Sequence, residues 1–226
     1  MNKCSCYEGK DLCVDIVPIF NGLSLNEKIE LSNKSIHRTY NKGDFVYTAG
    51  DYEESLFIVH QGKIKISRLS EEGKEQIIRI VNPGEFMGEF SIFSKRRLSD
   101  FAQALEVSSI CILEARVIRE YIKKEPTIGF KIMEELSKRL DTMEELVEGI
   151  NLHSVEWRLA KYLLKMKDEH NVVILTSTKG DFASLLGMSG ETLSRKLALF
   201  QEKRYIKMIT SKKIAILDVV ALEMIN

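Results

Sequence analysis

Apolar and polar positions alternate with two different periods along this chain, and the change of period marks its parts. Near the C-terminus, Ser177 to Leu186 predicts a short helix opened by hydroxyl residues and closed at Gly187, whose missing Cβ permits a left-handed turn. A second helix follows, capped by Ser189. Its Leu193, Leu197 and Phe200 recur at i, i+4, i+7 and predict a buried stripe, while Glu191, Ser194 and Arg195 fall together on the opposite side. Two strand-like runs, Tyr205 to Ile209 and Ile214 to Leu217, flank the basic turn Thr210 to Lys213 and predict a β-wing.

Upstream the period drops to two. Apolar runs at Phe45–Tyr47, Ser55–His60, Lys63–Ser67, Gln76–Ile80, Ala102–Leu105 and Ser109–Leu113 are separated by Gly43-Asp44, Gly50-Asp51, Gln61-Gly62, Glu72-Gly73 and Pro83-Gly84. Short strands punctuated by turn signals predict a small all-β roll, preceded by a short amphipathic helix around Asn26 to Ser35. Between roll and wing, Gly129, Met133, Leu136, Leu140, Met143, Val147 and Ile150 keep the 4,3,4,3 spacing of a two-stranded coiled-coil seam. A helix packed on its own roll is the alternative. Ser154 to Lys167 predicts a core helix of the last domain. The expected organisation is α+β: an arm over 1–15, a β-roll over 16–124, a dimerisation helix over 125–152, and a winged helix-turn-helix over 153–226.

Composition narrows the function. With 226 residues, 44% of them hydrophobic, the chain can bury a substantial core. Lys plus Arg equals Asp plus Glu at 33 each, so no global charge announces a nucleic acid. The bias is local: Lys179, Arg195, Lys196, Lys203, Arg204, Lys207, Lys212 and Lys213 face only Asp181, Glu191 and Glu202 over the helix-turn-helix and wing. Such an excess suits phosphate, and an exposed Glu, Ser and Arg suit base edges: Arg pairs with guanine, a carboxylate accepts from cytosine, and a hydroxyl serves either way. We therefore expect double-stranded DNA at Glu191, Ser194, Arg195, Ser189, Lys179, Lys196, Lys212 and Lys213. No apolar run has the length of a membrane span and no signal-like segment opens the chain, so the expectation is a cytoplasmic protein with no membrane partner.

Four cysteines remain. Cys4, Cys6 and Cys13 crowd the start and Cys111 stands in a strand. Reduced thiols in this arrangement can ligate metal, three near and one far, as an iron-sulfur cluster requires; equally, Cys111 can be a core residue and the others lie on a tail. The roll offers only His37 and His60, too few for a metalloenzyme of the cupin type, and His37, His60, His153 and His170 show no ligand spacing.

In this order the parts resemble the CRP/FNR superfamily of bacterial transcription regulators along nearly the whole chain, most of all its fumarate and nitrate reduction branch. Three stretches carry the resemblance: Gly50-Asp51 through Gly62 with Gly84-Glu85; Phe101-Ala102-Gln103-Ala104-Leu105-Glu106 followed by Cys111; and Gly190-Glu191-Thr192-Leu193-Ser194-Arg195. The resemblance implies a non-enzymatic regulator that contacts RNA polymerase and reads a TTGA-type palindrome through Glu191, Ser194 and Arg195. It implies a homodimer through Met133, Leu136, Leu140, Met143, Val147 and Ile150, and a 4Fe-4S cluster on Cys4, Cys6, Cys13 and Cys111 that senses oxygen or nitric oxide.

The chain departs from that pattern at three places. One and six residues separate its N-terminal cysteines, where the branch has two and five, which brings in a disulfide from that group to Cys111, haem or another small ligand as alternatives. Ser99-Asp100 stands where cyclic-nucleotide members carry Arg-Ser, and a carboxylate there would repel a cyclic phosphate, so cAMP is not expected. Met143 stands in the seam where oxygen sensors place an aspartate, so a constitutive dimer is expected. The competing class is a cofactor-bearing β-roll protein that does not bind DNA.

Overall fold

A computed structural model describes residues 12–94, 96–175 and 178–225. The chain divides into two compact units, residues 1–137 and 138–226.

In the first unit a 3-10 turn at Pro18–Phe20 leads to helix α1 (Leu25–Asn33), whose start is fixed by a capping box between Ser24 and Glu27. Eight antiparallel strands follow: β1 (Ile36–Tyr40), β2 (Phe45–Tyr47), β3 (Ser55–Gln61), β4 (Ile64–Leu69), β5 (Glu75–Val81), β6 (Phe86–Met87), then, after the short helix α2 (Glu89–Ser94), β7 (Phe101–Ala104) and β8 (Ser108–Glu114). They form two four-stranded sheets, β1-β8-β3-β6 and β2-β7-β4-β5. Between the sheets lie Tyr47, Phe57, Val59, Ile64, Ile66, Val81, Met87, Ala102 and Ile110. All six runs read from the alternation are strands. Strand β1 was not anticipated, because its Ile-His-Arg-Thr-Tyr carries no apolar alternation and it lies at a sheet edge.

A second core covers the outer face of the first sheet. Helix α3 (Ala115–Lys124) and the start of helix α4 (Thr127–Leu152) bury Val117, Ile118, Tyr121, Ile128 and Ile132 against Leu56, Ile58 and Leu113. Leu12, Cys13 and Val14 belong to this core with 8%, 0% and 0% exposure. Of the cysteine-rich arm expected over 1–15, residues 12–14 are packed in this core, where the two apolar neighbours of Cys13 supply buried area that holds them.

Helix α4 carries two apolar rows. Ile128 and Ile132 are buried and Leu136 packs against them, at i, i+4, i+8, whereas Met133, Leu140, Met143, Val147 and Ile150 are 45–58% exposed. Leu136 is half-buried against its own unit's core and sits where the two rows meet.

The second unit adds helix α5 (Val155–Met166), strand β9 (Val172–Ile174), helix α6 (Lys179–Leu185), helix α7 (Gly190–Glu202), strands β10 (Ile206–Thr210) and β11 (Lys213–Ile216), and helix α8 (Val219–Glu223). The sheet order is β10-β11-β9. β9 was not read from the sequence, being three residues long.

One turn in the roll leaves no room for a side chain. Gly62 has φ +85°, and a Cβ there would stand 2.6 Å from the Val107 carbonyl oxygen and 2.7 Å from Ser108 Cα, both main-chain atoms that cannot swing aside. Gly62→Ala is expected to lower unfolding free energy by about 2 kcal/mol or more, read from urea denaturation, through left-handed strain plus displacement of the β7–β8 connection.

Candidate nucleic-acid interface and thiol site

Helix α6 begins at Thr178, whose hydroxyl accepts from the Asp181 amide at 3.1 Å while the Asp181 carboxylate accepts from the Thr178 amide at 3.2 Å. Helix α7 begins at Ser189, whose Oγ accepts from the Thr192 amide at 3.1 Å. These caps satisfy amides that helix starts leave without partners, so the beginnings of both helices are fixed. Ser189 is therefore occupied in holding the helix start.

The inward side of α7 buries Leu193, Leu197 and Phe200 at 0%, 3% and 1% exposure, packed with Leu159, Leu163, Phe182, Ile206 and Ile214. Each such side chain contributes roughly 2 kcal/mol, enough to fix the rotation of α7 about its axis. Glu191, Ser194 and Arg195 consequently stand exposed together. Lys179, Lys212 and Lys213 are exposed too, the last two at the turn joining β10 and β11.

Lys196 has a different setting. Its Nζ is hydrogen-bonded and ion-paired to Glu156 of α5, and both side chains are mostly covered. The lysine's hydrogen bond holds the Glu156 carboxyl below its ordinary value of 4.5. A phosphate would have to compete with that carboxylate. Net charge alone could not reveal this, since Glu156 lies 40 residues upstream.

Sequence reasoning also missed Arg158. From α5 its Nη1 donates to the carbonyls of Leu186 at 2.5 Å and Gly187 at 3.2 Å, across the turn between α6 and α7, and burial draws the guanidinium below its ordinary value. No side-chain pattern signals this contact, because its partners are main-chain atoms.

In the first unit Cys13 and Cys111 are both fully buried in one apolar core. Cys13 Sγ lies 4.0 Å from Ser32 Oγ and 4.0 Å from Ser35 Oγ. Cys111 faces His37 across β8 and β1, with Sγ 3.8 Å from Nδ1, and the other ring nitrogen of His37 lies 3.1 Å from Ser109 Oγ. Cys4 and Cys6 lie outside the described residues. Among the described residues no three histidine, cysteine or acidic side chains converge as a metal site. The described donors therefore do not by themselves make a ligand set for a four-iron cluster. His60, His153 and His170 stand apart: His153 stacks on Trp157 at 3.8 Å, and His170 pairs with Glu169.

Where cyclic-nucleotide members would bind phosphate, the side chains engage one another. Arg68 donates to Ser99 Oγ at 3.1 Å, Arg97 donates to the Gly50 carbonyl at 2.7 Å, and Arg79 lies 3.6 Å from the buried Glu89 carboxylate. Burial raises the Asp100 carboxyl above its ordinary value, against the lowering effect of a hydrogen bond from Tyr47; burial and the Asp100 charge push the Tyr47 hydroxyl well above 10.0.

Residues 37–125 match the family described as the cyclic nucleotide-binding domain, and residues 157–225 match the Crp-like helix-turn-helix domain. The chain is 32% identical over 188 residues to the anaerobic regulatory protein of Pasteurella multocida, covering 80% of this chain and 68% of that one. It is 31% identical over 184 residues to the fumarate and nitrate reduction regulatory protein of Vibrio cholerae, covering 78% and 73%. In fold it is similar to a CooA mutant from Carboxydothermus hydrogenoformans, with TM-score 0.78, 18% identity, and coverage of 92% and 94%.

A stability test follows from the pair between Glu156 and Lys196. A carboxyl held below 4.5 contributes stability above that pH and loses it as the pH falls through the lowered value. The thermal midpoint of Glu156→Gln should lie below that of the parent at neutral pH, by no more than about 1 kcal/mol given the pair's partial exposure. Calorimetry should find the gap closing as the pH is taken below 4.5.

Proposed function

The chain belongs to the CRP/FNR family of DNA-binding transcription regulators, and on that premise we propose that it reads a TTGA-type palindrome as a homodimer and answers oxygen, nitric oxide or thiol redox state through its cysteines. Its family is one of regulators and not of enzymes. The observation that carries the DNA reading is the exposure of Glu191, Ser194 and Arg195 together on α7, opposite the buried Leu193, Leu197 and Phe200. Arg195 pairs with guanine, Glu191 accepts from cytosine, and Ser194 completes the edge contacts. Lys179, Lys212 and Lys213 meet phosphates, Ser189 acts by capping α7, and Lys196 contributes less because Glu156 holds it. No helix of the described residues is long and apolar enough to cross a membrane, and the cytoplasm and RNA polymerase are the setting and partner that fit such a regulator.

The exposed row Met133, Leu140, Met143, Val147 and Ile150 supports pairing of two α4 helices, with Leu136 at its inner edge. Two recognition helices related by a two-fold axis meet successive major grooves. No charge in the row opposes pairing, so the signal acts on a standing dimer by shifting it between two states.

On the sensor side, the burial of Cys13 and Cys111 in one core supports a signal that enters at these thiols and alters the packing of α1, β8 and the start of α4. A 4Fe-4S cluster would draw on Cys13 and Cys111 together with Cys4 and Cys6 and would supply reactivity towards oxygen and nitric oxide. A disulfide from the N-terminal cysteines to Cys111 is the second reading, favoured by the altered cysteine spacing. The engagement of Arg68 by Ser99 and of Arg97 by the Gly50 carbonyl supports a roll that does not take cAMP.

Three measurements test these assignments. Arg195→Ala should lose about ten- to hundredfold in affinity for a TTGAT-type palindrome, measured by fluorescence anisotropy, with little change on a scrambled duplex; equal affinity of parent and variant for both duplexes would sink the DNA reading. The cluster-free protein should sediment as a dimer at micromolar concentration; a monomer contradicts the α4 assignment. Anaerobic protein should show a broad visible absorption with about four irons per subunit, lost in Cys111→Ser; a colourless protein losing two thiols on oxidation establishes the disulfide instead.

A further inference from the structure

The turn between α6 and α7 sets the direction in which the recognition helix departs, and it is held from outside both helices. The carbonyls of Leu186 and Gly187 stand at the end of α6, among the acceptors that a helix terminus leaves without partners. Arg158 reaches both from α5, 28 and 29 residues upstream, through one guanidinium nitrogen. Gly187 has φ +65°, and a Cβ there would lie 3.0 Å from Arg158 Nη1 and 3.1 Å from Ile150 Cδ1. The end of α4, the start of α5 and the turn backbone therefore meet at a left-handed residue, where a side chain would be strained by φ and would press on Arg158 and Ile150. Arg158 Nε is buried with no hydrogen-bond partner among the described residues.

We propose that Arg158 is a positioning residue for sequence reading: its guanidinium fixes the turn between α6 and α7, and thereby the approach of Glu191, Ser194 and Arg195 to base edges, without contacting DNA itself. Two anchored carbonyls restrain the turn at its left-handed residue. With the guanidinium removed, the turn gains freedom, α7 keeps its buried stripe, and the exposed trio meets the groove at a wider range of angles. Contacts to phosphate tolerate that range because they depend on charge more than on angle, whereas bidentate contacts to bases do not. The contact of Ile150 with the same turn places the end of α4 beside this joint.

The inference rests on the assignment of α7 as the sequence-reading helix, and its test separates the two. The full-length parent chain is used to select its preferred duplex from a random library, and anisotropy then gives the affinity ratio between that duplex and a scrambled one for the parent, Arg158→Gln and Arg158→Lys. Arg158→Gln should lower the ratio about tenfold, chiefly through the selected duplex, with the scrambled affinity and its salt dependence unchanged. Arg158→Lys, which keeps the charge and can still reach one carbonyl, should restore part of the ratio. A folded Arg158→Gln chain with the parent's ratio, or with equal losses on both duplexes, overturns the proposal. Should Arg158→Gln fail to fold, the folded Arg158→Lys chain decides: a ratio equal to the parent's overturns it and a reduced one supports it. A parent chain that selects no sequence at all overturns the assignment of α7, and this inference with it.

Discussion

A helix of 26 residues cannot bury two apolar rows against one β-roll, and the way α4 divides them governs the rest of the molecule. Its first turns give Ile128, Ile132 and Leu136 to the core of their own unit. Its later turns leave Leu140, Met143, Val147 and Ile150 exposed in a row that water covers poorly. The neighbouring rows have the same chemistry and differ only by rotation about the helix axis. One helix therefore buries one row at its first turns and leaves the other exposed along the remainder, the row through which we propose pairing.

The DNA-binding unit solves a related problem on a smaller scale. The recognition face has to be exposed and rotationally fixed at once. Leu193, Leu197 and Phe200 fix the rotation, Ser189 fixes the first turn, and Arg158 holds the turn that precedes it. On the proposed reading, three exposed residues meet the base edges while covered side chains set how they are presented.

The parts that were legible in the sequence are those whose signal is local. Strand runs with a turn residue at each end were read correctly, as were the Ser189 cap and the stripe on α7, because period and capping act over a few residues. Strand β1 escaped because an edge strand with half-exposed polar residues has no alternation to read. Cys13 was placed on an arm because nothing in Asp11-Leu12-Cys13-Val14 says which core accepts it. The pairing of Lys196 with Glu156 and the hold of Arg158 on the turn were not legible for a common reason: their partners lie 28 to 40 residues away, and one pair of those partners consists of main-chain carbonyls. The partial burial of Leu136 against the roll was likewise invisible to a heptad count.

The burial of the two described cysteines sets a clock. A thiol with no accessible surface meets a dissolved oxidant only in molecules whose core has opened locally, and the population of that open form depends on the stability of the segment that covers it. Where opening is fast, the oxidation rate scales with the open population; where oxidant is abundant, it reaches the opening rate itself and rises no further. The packing of Leu12 and Val14 around Cys13 therefore sets how often that thiol is uncovered. A substitution that loosens those two side chains would speed its modification by any dissolved oxidant.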